Sequence, residues 1–332
     1  MREKLRRTVL AISLAAGLTA PVQAGLSPAE RHFVDSVVQH HDLNQLWVEH
    51  LLENARHDDS IIEAISRPAE AMPWHRYRRI FLTDRRIAEG VAYWHDNEKL
   101  LNRVEQEFGV PPQVITAIIG IETLYGTNMG RHRVIDALKT LGFGYPKRAE
   151  FFREELEHFL LLSRHEGFDP LVPVGSYAGA MGKPQFISSS YRAYAVDYDE
   201  DGRRDLWHSD ADVVASIGNY LSEHGWRRGE PVAQRVDGDP ADLARLDTGG
   251  SKPDRTVAEF LRRGIIVPDT ASEPDQRAVL VGLEQENARE YWLGYDNFYA
   301  ITRYNHSNLY AMAVHQLSEA IHVQRTVKKV TQ

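Results

Sequence analysis

The sequence predicts an α+β protein that is mainly α, and three observations carry that expectation. Apolar residues recur at three- and four-residue intervals over most of the chain, β-like runs are confined to residues 226–296, and there is no cysteine. A packed core rather than disulfides must therefore hold the fold.

At the N-terminus, Arg2, Lys4, Arg6 and Arg7 precede an apolar run over residues 8–20 and then Val22-Gln23-Ala24. That order is the pattern of a secretory signal peptide cleaved after Ala24. An uncleaved interfacial anchor is the alternative, but the run is too short to span a bilayer. No later segment has the roughly 20 uncharged residues of a transmembrane helix. The remaining chain, roughly 308 residues, is long enough to bury a core arranged in two or three lobes.

Residues 27–65 carry a helical pattern, with Ser27 placed as N-cap and Phe33, Val37, Val38, Leu46, Leu51 and Leu52 on the apolar side. Pro68, Pro73 and the cluster Trp74-His75-Arg76-Tyr77-Arg78 break it, and a second helix is expected over 84–108. Pro111-Pro112 starts another, since proline suits a first helical turn. Phe151, Phe152, Leu156, Phe159, Leu160 and Leu162 mark a helix over 148–166. Glycine makes residues 175–182 irregular, and helical pattern returns over 184–196 and 210–223. The stretch 226–296 alternates β-like runs, Ala278 to Leu283 and Tyr291 to Leu293, with a short helical piece over 256–263. A last helix spans 307–325. The expected domains are a signal peptide (1–24), a helical N-terminal lobe (25–80), a core (81–225), a small mixed lobe (226–296) and a C-terminal segment returning to the core (297–332).

Net charge is −8, with 26% charged residues of mixed sign and no basic run after the N-terminal segment, which argues against nucleic acid as a partner. Six Trp and fourteen Tyr serve either cores or flat apolar ligand faces.

Glu122 closes the most apolar stretch after the N-terminus, Val114-Ile115-Thr116-Ala117-Ile118-Ile119-Gly120-Ile121. On a helix it shares a face with Ile115, Ile118, Ile119 and Tyr125. No Lys or Arg lies between Arg103 and Arg131. A carboxyl desolvated without a cation has its pKa raised and becomes a proton donor near neutral pH. The other reading is a helix-end Glu that reaches solvent or a distant Arg.

Residues 175–182 hold three glycines and three small residues in eight positions, so backbone can approach a ligand closely, with Ser176 and Gln185 as polar tips. A tight helix connection explains the same composition, and no phosphate-loop ending follows. Asp197, Asp199, Asp201, Gly202, Arg203 and Asp205 match the first part of an EF-hand calcium loop, Arg203 through its carbonyl. Its twelfth position is His208, so a closing carboxylate must come from Asp210 or Asp212; a solvated acidic turn is the alternative. His40-His41 and His165-Glu166 lack zinc-ligand spacing.

Ile-Gly-Ile-Glu-Thr at 119–123, Gly-Tyr-Pro-Lys-Arg at 144–148, the glycine-rich block at 175–186 and Arg-Tyr-Asn-His-Ser at 303–307 occur in an order that resembles B-type lytic murein transglycosylases. The resemblance covers essentially the whole chain after the N-terminal segment. It implies a lysozyme-like core in which Glu122 alone is catalytic. That residue would protonate the glycosidic oxygen between N-acetylmuramic acid and N-acetylglucosamine, then take the proton of the muramic C6 hydroxyl, giving a 1,6-anhydromuramic end. An internal nucleophile makes a second carboxylate for water unnecessary, although Asp136, Glu150 or Asp169 could fold nearby and support hydrolysis.

By the same resemblance Ser176 and Gln185 bind sugar amides and hydroxyls, and Tyr77, Tyr220, Tyr304, Asn305 and Tyr310 line the groove. Lys147 and Arg148 would meet stem-peptide carboxylates. Lys147 stands where an Arg is expected, and a lysine lacks the bidentate fork. The calcium loop would close with Asp212, holding a structural Ca2+. The partner is the peptidoglycan glycan strand and the expected compartment the periplasm. Lipid-anchored members have a cysteine that this chain lacks, implying a soluble form reaching the wall by diffusion or through cell-wall synthesis or remodelling proteins. The rival expectation is a non-catalytic wall-binding or scaffold protein, which would gain nothing from burying an acid.

Overall fold

The structure, a computed structural model, describes residues 25–67, 72–268 and 273–331, with side chains to residue 327. The expected signal peptide lies outside the described residues. The chain divides into two compact units, residues 1–53 and 54–332. In the first, α1 (Pro28–His41) starts at Ser27, whose hydroxyl and Glu30 form a reciprocal capping box, and stops at Asp42 in left-handed conformation. Then α2 (Gln45–Asn54) begins, burying Val48, Leu51 and Leu52. The helical pattern over 27–65 is thus three helices, because Asp42 ends one and Asp58 caps the third.

The larger unit opens with α3 (Asp59–Ser66), α4 (Trp74–Phe81), α5 (Asp84–Asp96) and α6 (Glu98–Phe108). The single helix expected over 84–108 breaks at Asn97, whose side chain bonds back to the Tyr93 carbonyl. Next is α7 (Pro112–Thr123), in which every residue except Gln113 and Glu122 is buried. Full burial of Ile115, Ile118 and Ile119 contributes roughly 2 kcal/mol each, which fixes the helix that bears Glu122. It packs against α5, α6, α11 and α15.

After it come β1 (His132–Arg133), α8 (Val134–Gly144), a 3-10 turn at Pro146–Arg148, α9 (Ala149–Glu166) and β2 (Val174–Gly175), which pairs antiparallel with β1. Helix α8 is not among the helices expected from the sequence. Its run Val134-Ile135-Asp136-Ala137-Leu138 has the helical period but no side-chain cap, and two glycines close it. Only α10 (Ser188–Tyr194) of the helix expected over 184–196 forms, since Gln185 is left-handed with φ 53°. Helix α11 (Asp210–Glu223) has the expected bounds.

The mixed lobe contains β3 (Ala233–Val236), α12 (Pro240–Leu246), β4 (Arg255–Thr256), α13 (Val257–Arg262), β5 (Arg277–Glu284) and β6 (Arg289–Gly294). Its antiparallel sheet has the order β3-β6-β5-β4. Ala278, Leu280, Tyr291 and Leu293 face a core with Leu243, Val257 and Phe260. Val279 and Val281, of opposite orientation, are also buried, which is why β5 reads as a continuous apolar run. The chain returns through α14 (Asp296–Tyr304) and α15 (Asn308–Thr331), which lies along α7, α5 and α4.

Candidate active site

Glu122 sits on the last turn of α7, half-buried, and takes part in no ion pair among the described residues. Burial pushes its carboxyl from 4.5 up to about 7, and a hydrogen bond from the Tyr310 hydroxyl pulls the other way. That hydroxyl donates to Glu122 Oε1 at 2.6 Å. Of the two sequence readings of Glu122, the raised pKa and the lack of an ion pair among the described residues favour the desolvated acid. None of the alternative carboxylates stands beside it. Asp136 is bridged by Arg133 Nε at 2.8 Å, Asp169 caps the Leu171 amide, and Glu150 is exposed in the first turn of α9.

The tyrosines expected around it come together. Tyr304 stacks parallel to Tyr310 at 6.3 Å and meets Tyr220 edge-on at 4.9 Å, with Phe186 against both Tyr304 and Tyr220. Tyr220 and Tyr304 donate their hydroxyls to the carbonyls of Arg303 and Pro184, each at 2.6 Å. Their rings are thereby oriented by backbone. Burial, then the nearby Glu122 charge, holds Tyr304 and Tyr310 well above the usual tyrosine range, so both stay neutral donors. Tyr77, on α4, stacks on Trp74 at 6.2 Å and lies close enough to act on Tyr310 electrostatically.

A cleft of about 820 Å³ runs beside this group, and Arg148, Gln185, Tyr220, Tyr304 and Asn305 line it. Glu122, Ser176, Tyr77, Tyr310 and Lys147 are not among its lining residues. The Ser176 hydroxyl accepts from the amides of Ala178 and Ala180, at 3.3 and 3.0 Å, and so shapes the glycine-rich turn. A Cβ at Gly175 would lie 2.2 Å from the Ala180 carbonyl oxygen, and one at Gly182 2.3 Å from that of Leu206. Close backbone packing accounts for those glycines. Gln185 Nε2 donates to the carbonyls of Gly182 and Met129, at 2.9 and 3.3 Å. Arg148 lies over the Phe151 ring at 4.3 Å and covers one wall, while Lys147 is exposed outside the cleft.

Sequence reasoning missed His224, Arg303 and His306, which line the same cleft. His224 stacks on Tyr220 at 4.0 Å. Its place four residues after Tyr220, as the C-cap of α11, was the available signal, and Arg303 and His306 belong to the 303–307 motif itself. Burial, then the charges of Arg303 and His224, lowers the His306 pKa, which favours the neutral ring.

In the acidic loop, Asp197, Asp199 and Asp212 bring carboxylate oxygens within 4.8 Å of one another. Asp212 is buried and accepts from the amides of Tyr198 and Asp205, both at 2.7 Å. Burial, then the charges of Asp199 and Asp197, raises its pKa against those two bonds. Asp201 Oδ1 accepts from the Arg203 amide, and Asp205 is turned onto the amides of Trp207 and His208. Neither belongs to the group of three. Crowded hard oxygen donors without a countercharge have the chemistry of a Ca2+ site.

Residues 26–319 match the family model described as "Transglycosylase SLT domain". The chain is 40% identical over 309 residues to "Membrane-bound lytic murein transglycosylase B" of Escherichia coli K12, covering 90% of this chain and 84% of that protein. Its structure is similar to that of soluble lytic transglycosylase SltB1 from Pseudomonas aeruginosa, with a TM-score of 0.85, 43% identity, and 90% and 100% of the two chains covered. It is also similar to E. coli lytic transglycosylase Slt35 solved in complex with calcium, with a TM-score of 0.83, 40% identity, and 90% and 94% covered.

Proposed function

Because the chain belongs to the lytic murein transglycosylases that carry the transglycosylase SLT domain, we propose that Glu122 is its single catalytic acid and base and that its products end in 1,6-anhydromuramic acid. The protein is a peptidoglycan-cleaving lytic transglycosylase of mainly helical, lysozyme-like fold. The observation that carries the finer reading is the Glu122 carboxyl, raised to about 7 by burial, with Tyr310 at 2.6 Å and no cation beside it.

Such a group keeps its proton on a substantial fraction of molecules near neutral pH and gives it to the glycosidic oxygen as the bond to the muramic anomeric carbon breaks. The resulting carboxylate accepts the C6 hydroxyl proton while that oxygen attacks the same carbon. The leaving sugar keeps the donated proton and the acid is regenerated. Tyr310 donates to the carboxylate formed between the two steps, stabilising it without quenching it as a cation would. Tyr220, Tyr304 and Tyr77 offer ring faces to sugars, while Gln185, Ser176 and Asn305 supply polar contacts. Arg148 meets stem-peptide carboxylates at the cleft wall, with Lys147 as an outer charge.

Asp197, Asp199 and Asp212 would hold a structural Ca2+ in the acidic loop, with Asp201 and the Arg203 carbonyl as further oxygen donors. When bound, the ion supplies charge neutralisation to that loop and no chemistry at Glu122. Among the described residues no helix is long and apolar enough to cross a membrane. The N-terminal pattern supports a periplasmic location.

Mass spectrometry of soluble fragments released from purified peptidoglycan tests the chemistry. Anhydro ends are expected from the parent, lighter by one water than hydrolysed ends. Reducing ends would instead make it a muramidase, and release of no fragments with binding retained would favour the scaffold.

A further inference from the structure

Directly after Glu122 and Thr123, residues Leu124, Tyr125 and Gly126 have φ of 50°, 55° and 89°. Two side-chain-bearing residues in succession adopt the left-handed region, which L residues populate only when their surroundings over-determine it. Two sets of contacts do so here. The buried Thr123 hydroxyl lies 3.0 Å from the Lys183 carbonyl and 3.3 Å from that of Ile119, and it accepts from the Gly126 amide at 3.0 Å. The Tyr125 ring stacks on Tyr93 at 5.6 Å and its hydroxyl donates to the Arg86 carbonyl at 2.8 Å. That hydroxyl occupies a slot between two glycines, since a Cβ at Gly90 or Gly120 would stand 2.4 or 2.5 Å from it.

The two sets of contacts close on each other. Lys183 Nζ donates to Asp210 Oδ1 at 2.6 Å, and the Tyr93 hydroxyl donates to the same oxygen at 3.0 Å. Lys183 also belongs to the glycine-rich block, two residues before Gln185. The Thr123 hydroxyl therefore joins the end of the helix carrying the acid to the wall carrying a substrate-binding amide.

We propose that Thr123 is a positioning residue for the proton transfer at Glu122: its hydroxyl locks the left-handed turn, and the locked turn keeps the carboxyl in its water-poor site opposite Tyr310 and in register with the glycine-rich wall. The proposal rests on the catalytic reading of Glu122 given above. Thr123 is buried, so it acts through the backbone it holds. Unlocking the turn lets the last turn of α7 loosen and admits water, and a better-hydrated carboxyl gives up its proton at lower pH.

The experiment compares the parent with Thr123→Val, which keeps the shape and loses the hydroxyl, and Thr123→Ser, which keeps the hydroxyl. Cleavage of a soluble, uncross-linked glycan strand is followed across pH for kcat and KM, with Tm measured alongside. Thr123→Val is expected to lose about tenfold in kcat, with KM little changed, as misplacement of a catalytic group does. Its alkaline limb moves to lower pH, and Thr123→Ser restores the parental limb.

A Thr123→Val enzyme that keeps the parental limb, however much its Tm falls, overturns the proposal alone, because a purely structural hydroxyl would behave so. A parent that releases no fragments overturns the functional reading and the proposal with it. If Thr123→Val does not fold, Tyr125→Phe keeps the stacked ring and loses only the bond to Arg86. A smaller shift of its limb in the same direction supports the lock, and an unmoved limb overturns it.

Discussion

The end of α7 and the acidic loop both hold a carboxyl whose proton affinity is raised, for different reasons. At Glu122 the cause is burial, with no charged neighbour of either sign. At Asp212 burial is joined by the negative charges of Asp199 and Asp197 and opposed by two backbone amides. An isolated carboxyl in apolar surroundings answers desolvation by keeping a proton, which makes it a proton shuttle. Three carboxylates in contact answer repulsion better by sharing a cation, since one ion offsets all three charges. The same residue chemistry thus suits a proton in one region and a cation in the other.

The strongest way to break this contrast is Glu122→Gln, which removes the proton and keeps the shape. Cleavage should fall by about three orders of magnitude while binding to peptidoglycan persists, measured by fragment release and by pull-down on insoluble wall. Next in size is the metal response. Added Ca2+ should raise Tm, equivalent to about 3 kcal/mol at a hundredfold excess over Kd. Asp199→Ala and Asp212→Asn should abolish the rise and Asp205→Asn should leave it, because the Asp205 carboxylate lies outside the cluster formed by Asp197, Asp199 and Asp212. No rise in the parent would sink the metal site.

Smaller effects sharpen the desolvation argument. With a folded pKa of about 7 against an ordinary 4.5, the native state holds a proton that the unfolded chain releases. Stability contributed at Glu122 is therefore lost as pH rises from 4.5 to 7. The Tm of Glu122→Gln relative to the parent should climb across that window, and a flat difference would refute the burial account. Tyr310→Phe removes the bond that lowers this pKa, so its alkaline limb should move up, opposite to Thr123→Val, with about a tenfold loss of kcat.

Much of this was legible in order along the chain, and what escaped has physical reasons. The apolar run 114–121 and Pro112 specify α7, and α11 was readable from Asp210 to its end because Ser209 caps it and Val213, Val214 and Ile217 keep the helical period. Helix α8 escaped because its start has no side-chain cap, and β3 and β4 because four- and two-residue strands owe their existence to partners far along the chain. At the site, Glu122 could be singled out locally, whereas the role of His224 in the cleft depends on α11 packing beside α14, which no local pattern encodes. The acidic loop was recognisable from its aspartates, yet spacing alone could not separate Asp210 from Asp212. The fold groups Asp212 with Asp197 and Asp199 and turns Asp210 to Lys183 and Tyr93, which favours Asp212 for the proposed site.

Glu122 and the hydroxyl that meets it are 188 residues apart in sequence. Every other part of the site is present in the chain before α15 begins. A chain still being synthesised, or one clipped ahead of Tyr310, therefore holds the acid without its donor and without the helix that seals α7 from water. The proposed acid thus meets its hydrogen-bond donor only once the last helix has packed along α7.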